Sequence, residues 1–176
     1  MNTTTLDQKI EELKHQTLSR EYKKLGYSSV ETLSMVKSLN LLLASYQVHY
    51  QKLRNFHWNV RGEDFFDLHS LFEQLYNEAQ VHIDEIAERI RVFGQTPYST
   101  MSGYLEHTEI KEVGTNLMSK DMVREVLADF RILVTLMNEV SETAIESGDH
   151  ATQDLINSYI RSIEKHHWML SAFLNE

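Results

Sequence analysis

The chain contains no cysteine, one proline and six glycines in 176 residues. Without cysteine there can be no disulfide, no thiolate ligand and no cysteine nucleophile, so any metal must be held by nitrogen and oxygen. The scarcity of proline and glycine leaves little material for turns, which argues against many short strands and for long helices. Long apolar runs are also missing. The longest covers residues 41–44, far short of the roughly 20 residues that span a bilayer, and residues 1–6 lack the basic-then-apolar pattern of a secretory leader. Positive charge is in deficit as well, with 17 Lys plus Arg against 26 Asp plus Glu and a net charge of −9. That balance opposes nucleic acid or an anionic membrane as the partner of the whole surface. The composition is otherwise that of a globular protein, 41% apolar and 24% charged, and predicts one soluble, cytoplasmic domain.

Residues 1–24 carry five basic side chains (Lys9, Lys14, Arg20, Lys23, Lys24) and four acidic ones (Asp7, Glu11, Glu12, Glu21) with few large apolar groups. They read as an N-terminal arm or short helix, leaving residues 25–176 as the folded domain. From Val30 the apolar positions Leu33, Val36, Leu39, Leu43, Tyr46, Tyr50 and Leu53 recur at steps of three and four, which predicts a helix to about Val60. A second follows from Asp64 to Phe93, with Phe66, Phe72, Leu75, Ala79, Ile83, Ile86 and Ile90 on its apolar positions and Gly94 as its stop. The stretch 95–115 holds the single proline, Pro97, and reads as the one long connection, with a short helix around Tyr104 to Glu109. A third long helix is expected from Ser119 as N-cap to Gly148, and a fourth from about Asp149 to Phe173. Four long helices joined short, long, short define an all-α fold, a four-helix bundle with a crossover between the second and third.

The second helix carries the chemistry. Eight acidic residues (Glu63, Asp64, Asp67, Glu73, Glu78, Asp84, Glu85, Glu88) occupy positions 63–88 without a single Lys or Arg. A solvated face normally mixes both signs, so cations or a basic partner are expected to supply the missing charge. His69 and Glu73 are four residues apart, as are Asp84 and Glu88, so each pair lies about 40° apart on the helix and can converge on one ion. From Glu73 to Asp84 is about 20° past three turns, which puts both pairs on one face, yet about 16 Å apart along the axis. A metal wants its ligands within about 2 Å, so a single straight helix cannot close a site from both pairs. Two copies packed antiparallel about a two-fold axis near Glu78 can, and would make two equivalent sites. His57, across the turn at 61–64, can add an imidazole. Such a mixed set suits Fe(II) or Mn(II) with positions open for an oxidant.

These residues resemble a known family. His57-Trp58-Asn59-Val60-Arg61-Gly62, then Phe65-Phe66-x-x-His69, then His82-Ile83-Asp84-Glu85-Ile86-Ala87-Glu88-Arg89, is similar to the signature of the Dps family, the mini-ferritins named as DNA-binding proteins from starved cells. Tyr104-Leu105-Glu106-His107 and His166-His167-Trp168-Met169-Leu170 look like that family's inter-helix element and last helix. The resemblance covers about residues 30–174. It implies a ferritin-like bundle assembling into a hollow homo-oligomeric shell of twelve subunits. Ferroxidase centres at its two-fold interfaces would oxidise Fe(II), preferably with hydrogen peroxide, and its cavity would store ferric mineral. Matched by position, His57, His69 and Glu73 are the metal ligands from one subunit and Asp84 and Glu88 those from its neighbour, with iron as the expected metal and zinc able to occupy the same ligands. Glu73 departs from the family, which usually has aspartate there. Trp58 resembles the aromatic residue thought to take up an oxidising equivalent, and interface packing is its other reading. Glu146, Asp149 and Asp154 look like the acids lining three-fold pores through which iron enters, with a helix N-cap as the alternative for Asp149; His150 stands where relatives often carry another acid.

Three rival readings follow from the same residues. A di-iron enzyme built within one chain needs Glu-x-x-His on two facing helices, and the bundle offers only Glu164-x-x-His167, which reads better as an exposed or interface pair. Direct DNA binding would rest on Lys23 and Lys24 of the arm, against the chain's net negative charge. A scaffold whose acidic helix meets a basic partner would be insensitive to metals. His49, His82, His107 and His166 are expected to be core or interface histidines.

Overall fold

The computed structural model describes residues 29–175; the arm expected over residues 1–24 lies outside them. Five helices follow in order: α1 (Ser29–Asn59), α2 (Phe65–Val92), α3 (Met101–His107), α4 (Ser119–Ser147) and α5 (His150–Leu174). No strand occurs among the described residues. The apolar spacing explains the long elements. On α2 the buried positions Leu68, Phe72, Leu75, Ala79, His82, Ile86 and Ile90 step by three and four and form one inward stripe. Two helices end where glycine permits a left-handed residue, α2 just before Gly94 (φ 73°) and α4 at Gly148 (φ 68°).

Interhelical contacts fix the topology. His57 and His69, Phe56 and Phe72, and Tyr46 and His82 pair α1 antiparallel to α2. Lys52 meets Glu125 and Asp129, with His49 also on Asp129, and this joins α1 to α4. Glu78 with His166, Glu85 with Tyr159 and Arg89 with Thr152 run α2 antiparallel to α5. The segment between α2 and α4 climbs the side of α1: the Tyr98 amide donates to Asn40, the Glu109 amide to Ser45, and the Asn55 amide group to the carbonyl of Val113. It thereby returns the chain to the end at which α2 began, where the Ser119 hydroxyl donates to Asp64 at 2.8 Å. This is the predicted crossover. Leu39, Leu42, Leu53, Phe56, Phe72, Ile86, Val126, Leu133, Met137 and Ile156 are fully enclosed at the centre.

Several boundaries differ from expectation. Ser119 does not cap α4: Met118 takes the cap position in extended conformation without a side-chain bond, because the Ser119 hydroxyl is spent on Asp64. The short helix begins at Met101 rather than Tyr104, since Thr100 caps it by accepting from the Gly103 amide. Leu33 and Phe66, placed on apolar helix positions by spacing, are 63% and 81% exposed in the single chain. No helix is long and apolar enough to cross a membrane among the described residues.

Candidate metal centre

His57 sits in the last turn of α1 and His69 in the second turn of α2, and the short turn between the helices folds one ring onto the other. The rings stack with centroids 3.8 Å apart and planes 21° apart. Each ring's Nδ1 lies 2.8 Å from the backbone carbonyl oxygen of the other residue. A carbonyl only accepts, so both Nδ1 atoms carry the hydrogen and donate it. The Nε2 atom of each ring is thereby left as its metal-binding nitrogen, an arrangement that fixes tautomer and orientation as outer-shell partners do around bound metals. Phe65 also stacks on His69, at 5.0 Å, and Tyr76 meets His57 edge-on at 5.3 Å.

Glu73, one turn beyond His69, is exposed and accepts a 3.3 Å hydrogen bond from the Tyr76 hydroxyl. Burial, and then the Glu73 carboxylate, push the Tyr76 hydroxyl above its ordinary range. Trp58 is 58% exposed, with the Arg54 guanidinium 4.7 Å from its ring centre. Asp84 and Glu88 are both exposed. Asp84 borders an open groove with Gln80, Val81, Ile83 and Glu85. Within the chain, His57 and His69 stack at one end of α2, Glu73 one turn further along is linked to them through Tyr76, and Asp84 and Glu88 lie about three turns beyond Glu73. Among the described residues, no three His, Asp or Glu side chains converge as a metal-holding group.

Besides Glu73, three of the eight acids at positions 63–88 find partners inside the chain. Asp64 accepts from Ser119, Glu85 accepts from the Tyr159 hydroxyl at 2.6 Å, and Glu78 accepts from His166 at 3.0 Å and from Ser162. The His166 hydrogen bond, against the opposing effect of burial and with help from Ser162, holds the Glu78 carboxyl down at about 2. Burial holds His82 below its ordinary value, with Glu78 pulling the other way. A second buried group lies beside this one: Asp129 takes Lys52 at 2.8 Å and His49 at 2.9 Å, with all three side chains almost wholly enclosed. His49, His82 and His166 are therefore core histidines, as expected, while His107 is half-buried and hydrogen-bonded to the carbonyl of Gly103. The sequence shows Glu78 and His82 four apart, but nothing in it links them to His166, 84 and more positions away. The Tyr76 contact to Glu73 was legible only as an i,i+3 spacing.

The acids at the α4–α5 corner differ among themselves. Glu146 and Asp154 are exposed. Asp149 is buried, caps α5 by accepting from the Thr152 amide, and pairs with Arg89 at 2.6 Å. Burial alone would raise its carboxyl; the Arg89 and Thr152 hydrogen bonds outweigh this and hold it low. Of its two open readings, the cap is therefore formed. Glu164 is exposed and His167 half-buried, both beside Trp168 on an open apolar groove.

The fold is that of a ferritin-like protein, and residues 36–176 match the ferritin-like domain. The chain is 42% identical over 142 residues to DNA protection during starvation protein 2 of Bacillus anthracis, covering 81% of this chain and 97% of that one. It is 44% identical over 136 residues to the DNA protection during starvation protein of Brevibacillus brevis, covering 77% and 91%. Its structure superposes on the Dps protein of Vibrio cholerae O1, described as one of the ferritin-like diiron-carboxylate proteins, with a TM-score of 0.83, 39% identity, and coverage of 85% of this chain and 94% of that one. The chain belongs to the Dps family.

Proposed function

We propose that this protein is a ferroxidase and iron-storage mini-ferritin. Copies assemble into a hollow shell of twelve, Fe(II) binds between subunits, and hydrogen peroxide, or dioxygen in its place, oxidises it in protection of the cytoplasm. The observation that carries this reading is the reciprocal lock of His57 and His69, which leaves two Nε2 atoms free to bind a metal, with Glu73 one turn along α2 and Asp84 and Glu88 exposed on the same helix with no hydrogen bond or ion pair among the described residues. A half-site of nitrogen and oxygen ligands at one end of α2 and a carboxylate pair further along it are completed when a second copy packs antiparallel. The donors are nitrogen and oxygen only, which suits Fe(II), and zinc can take the same ligands.

In the reaction two Fe(II) ions give one electron each to hydrogen peroxide, its O–O bond breaks, and two protons complete two waters. Pairwise transfer avoids the one-electron step that yields hydroxyl radical. The carboxylates hold the cations, and Trp58, exposed next to His57 in the chain, gives up an electron when only one ion is bound. Glu146, Asp149 and Asp154 belong to the corner that would draw iron towards the cavity, the two exposed acids through their field and Asp149 by fixing the start of α5. Protection of DNA, the role in the relatives' names, follows here from removing Fe(II) and peroxide. A gel shift at low salt with the full chain would reverse that point by retarding DNA.

The test is the iron retained per chain on a sizing column after Fe(II) and peroxide, for the parent and for Asp84→Ala with Glu88→Ala. Many irons in a large particle, with oxidation slowed in the variant, is the expected result. Little retained iron, or a monomeric size, would remove the reading in favour of an acidic helix that docks a basic partner.

A further inference from the structure

Tyr76 touches both kinds of ligand in the half-site. Its ring packs edge-on against His57 at 5.3 Å and against Tyr50 at 6.1 Å, and Tyr50 lies under the Arg54 guanidinium at 5.3 Å. Those contacts fix the ring, and the hydroxyl it presents donates to Oε1 of Glu73 at 3.3 Å. We propose that Tyr76 is a positioning residue for the metal centre: packed on His57 and bonded to Glu73, it restrains the flexible Glu73 carboxylate on the side of the stacked histidines before a second copy completes the site. This rests on the ferroxidase reading of the site.

The argument is one of reach and entropy. An exposed glutamate has three rotatable bonds and samples many positions, so a metal would have to immobilise it on binding. A hydroxyl bonded to one carboxylate oxygen restricts that search and leaves the other oxygen for an ion. The contact also depends on the residue being glutamate. Aspartate at the same backbone position would draw the carboxylate back by one carbon–carbon bond, about 1.5 Å, from a hydroxyl already at the far limit of a useful bond. Glu73 and Tyr76 are thus one unit, and the departure from the family's aspartate acquires a physical account: the longer side chain is the one the tyrosine can hold.

The experiment is a double-mutant cycle on the assembled full chain, read by the visible absorption of bound Co(II) and by its dissociation constant. Tyr76→Phe keeps the ring and its packing and removes only the hydroxyl, so an unchanged melting curve is its control for folding. The expected result is Co(II) affinity weakened about tenfold, the range for losing an outer-shell partner, with a changed absorption band. Glu73→Asp should weaken binding too, and adding Tyr76→Phe to it should cost nothing further, since the bond is already lost. Parental affinity and spectrum in Tyr76→Phe would overturn the proposal, as would losses in the two single variants that simply add. Asp84→Ala with Glu88→Ala is the separate control. If Co(II) binds that variant as it binds the parent, the inter-subunit site falls and Tyr76 falls with it, whereas a weakened double variant beside an unaffected Tyr76→Phe removes Tyr76 alone.

Discussion

Two sets of polar side chains share this bundle and are treated in opposite ways. Inside, Lys52, Asp129 and His49 form a closed triad, and Glu78 meets His166 and Ser162. Outside, on the same α2, Glu73 has only a single tyrosine hydroxyl, and Asp84 and Glu88 have no hydrogen bond or ion pair among the described residues. The interior pays the desolvation cost of charge by satisfying it within one chain, and the rim leaves its charge open to what the chain lacks. If stability resides in the first set and, as proposed, metal binding in the second, substitutions in the two should separate those properties.

The largest effect is expected at Asp129. Asp129→Ala leaves Lys52 buried with only the half-exposed Glu125 for a partner and His49 with none, and stranding a buried charge costs about 3–5 kcal/mol. Guanidinium unfolding of the metal-free protein should show that loss, and Lys52→Met with Asp129→Leu should recover most of it. A loss under about 1 kcal/mol would mean that the interior triad is not the stabilising set and would break the comparison.

Next comes Glu78, through pH. Its carboxyl stands at about 2 in the fold against 4.5 for the free group. The folded state therefore binds this proton less readily than the unfolded state. The stabilisation is fully present above pH 4.5 and disappears as pH falls towards 2, about 3 kcal/mol in all. His82 acts in the same direction at higher pH: its folded value lies below 6.5, so stability also declines as the solution is acidified through that value. Glu78→Gln should flatten the acid limb of a stability-against-pH curve, and a limb as steep as the parent's would assign acid sensitivity to other groups.

How far the sequence carried the reading follows the same division. The four long helices and the crossover were legible because apolar spacing is local, and the family because the Dps signature is contiguous between His57 and Glu88; the proposed ligands were chosen from the same local i,i+4 pairs. The interior network was not legible, because His49 with Asp129 and Glu78 with His166 are separated by 80 and 88 positions and helical periodicity says nothing about which polar group faces which across a bundle. The acidic excess over positions 63–88 was accordingly read as calling for cations or a basic partner, although Asp64, Glu73, Glu78 and Glu85 have partners within the chain. Ser119 misled for a related reason. Cap rules are written for a residue bonding its own helix, and here the hydroxyl serves a neighbouring turn.

Asp149 tests the boundary between the two sets, since the resemblance places it at a pore and the geometry encloses it. Asp149→Ala removes the α5 cap and the partner of Arg89 together, and should cost about 2 kcal/mol. Asp149→Asn, which keeps an acceptor for the Thr152 amide, should cost about half as much. Calorimetric melting of both would place Asp149 with the closed set; melting curves equal to the parent's would return it to the open one.

The smallest effect carries the sharpest distinction. Asp84 and Glu88 are like charges four residues apart on one exposed helix face, an arrangement that destabilises a helix by about 0.2–0.5 kcal/mol. In metal-free protein, Asp84→Ala with Glu88→Ala should therefore leave stability unchanged or raise it by a few tenths of a kcal/mol. Adding Zn(II) should then reverse the order. A ligand that binds only the folded state stabilises it in proportion to RT ln(1 + [L]/Kd), about 2.7 kcal/mol at a hundredfold excess over Kd, so the parent's melting temperature should climb with Zn(II) while the double variant's stays level. If both climb equally, the ion is bound elsewhere and the open carboxylates are merely solvated. If the variant is markedly less stable without metal, they were never open, and the contrast between interior and rim is lost.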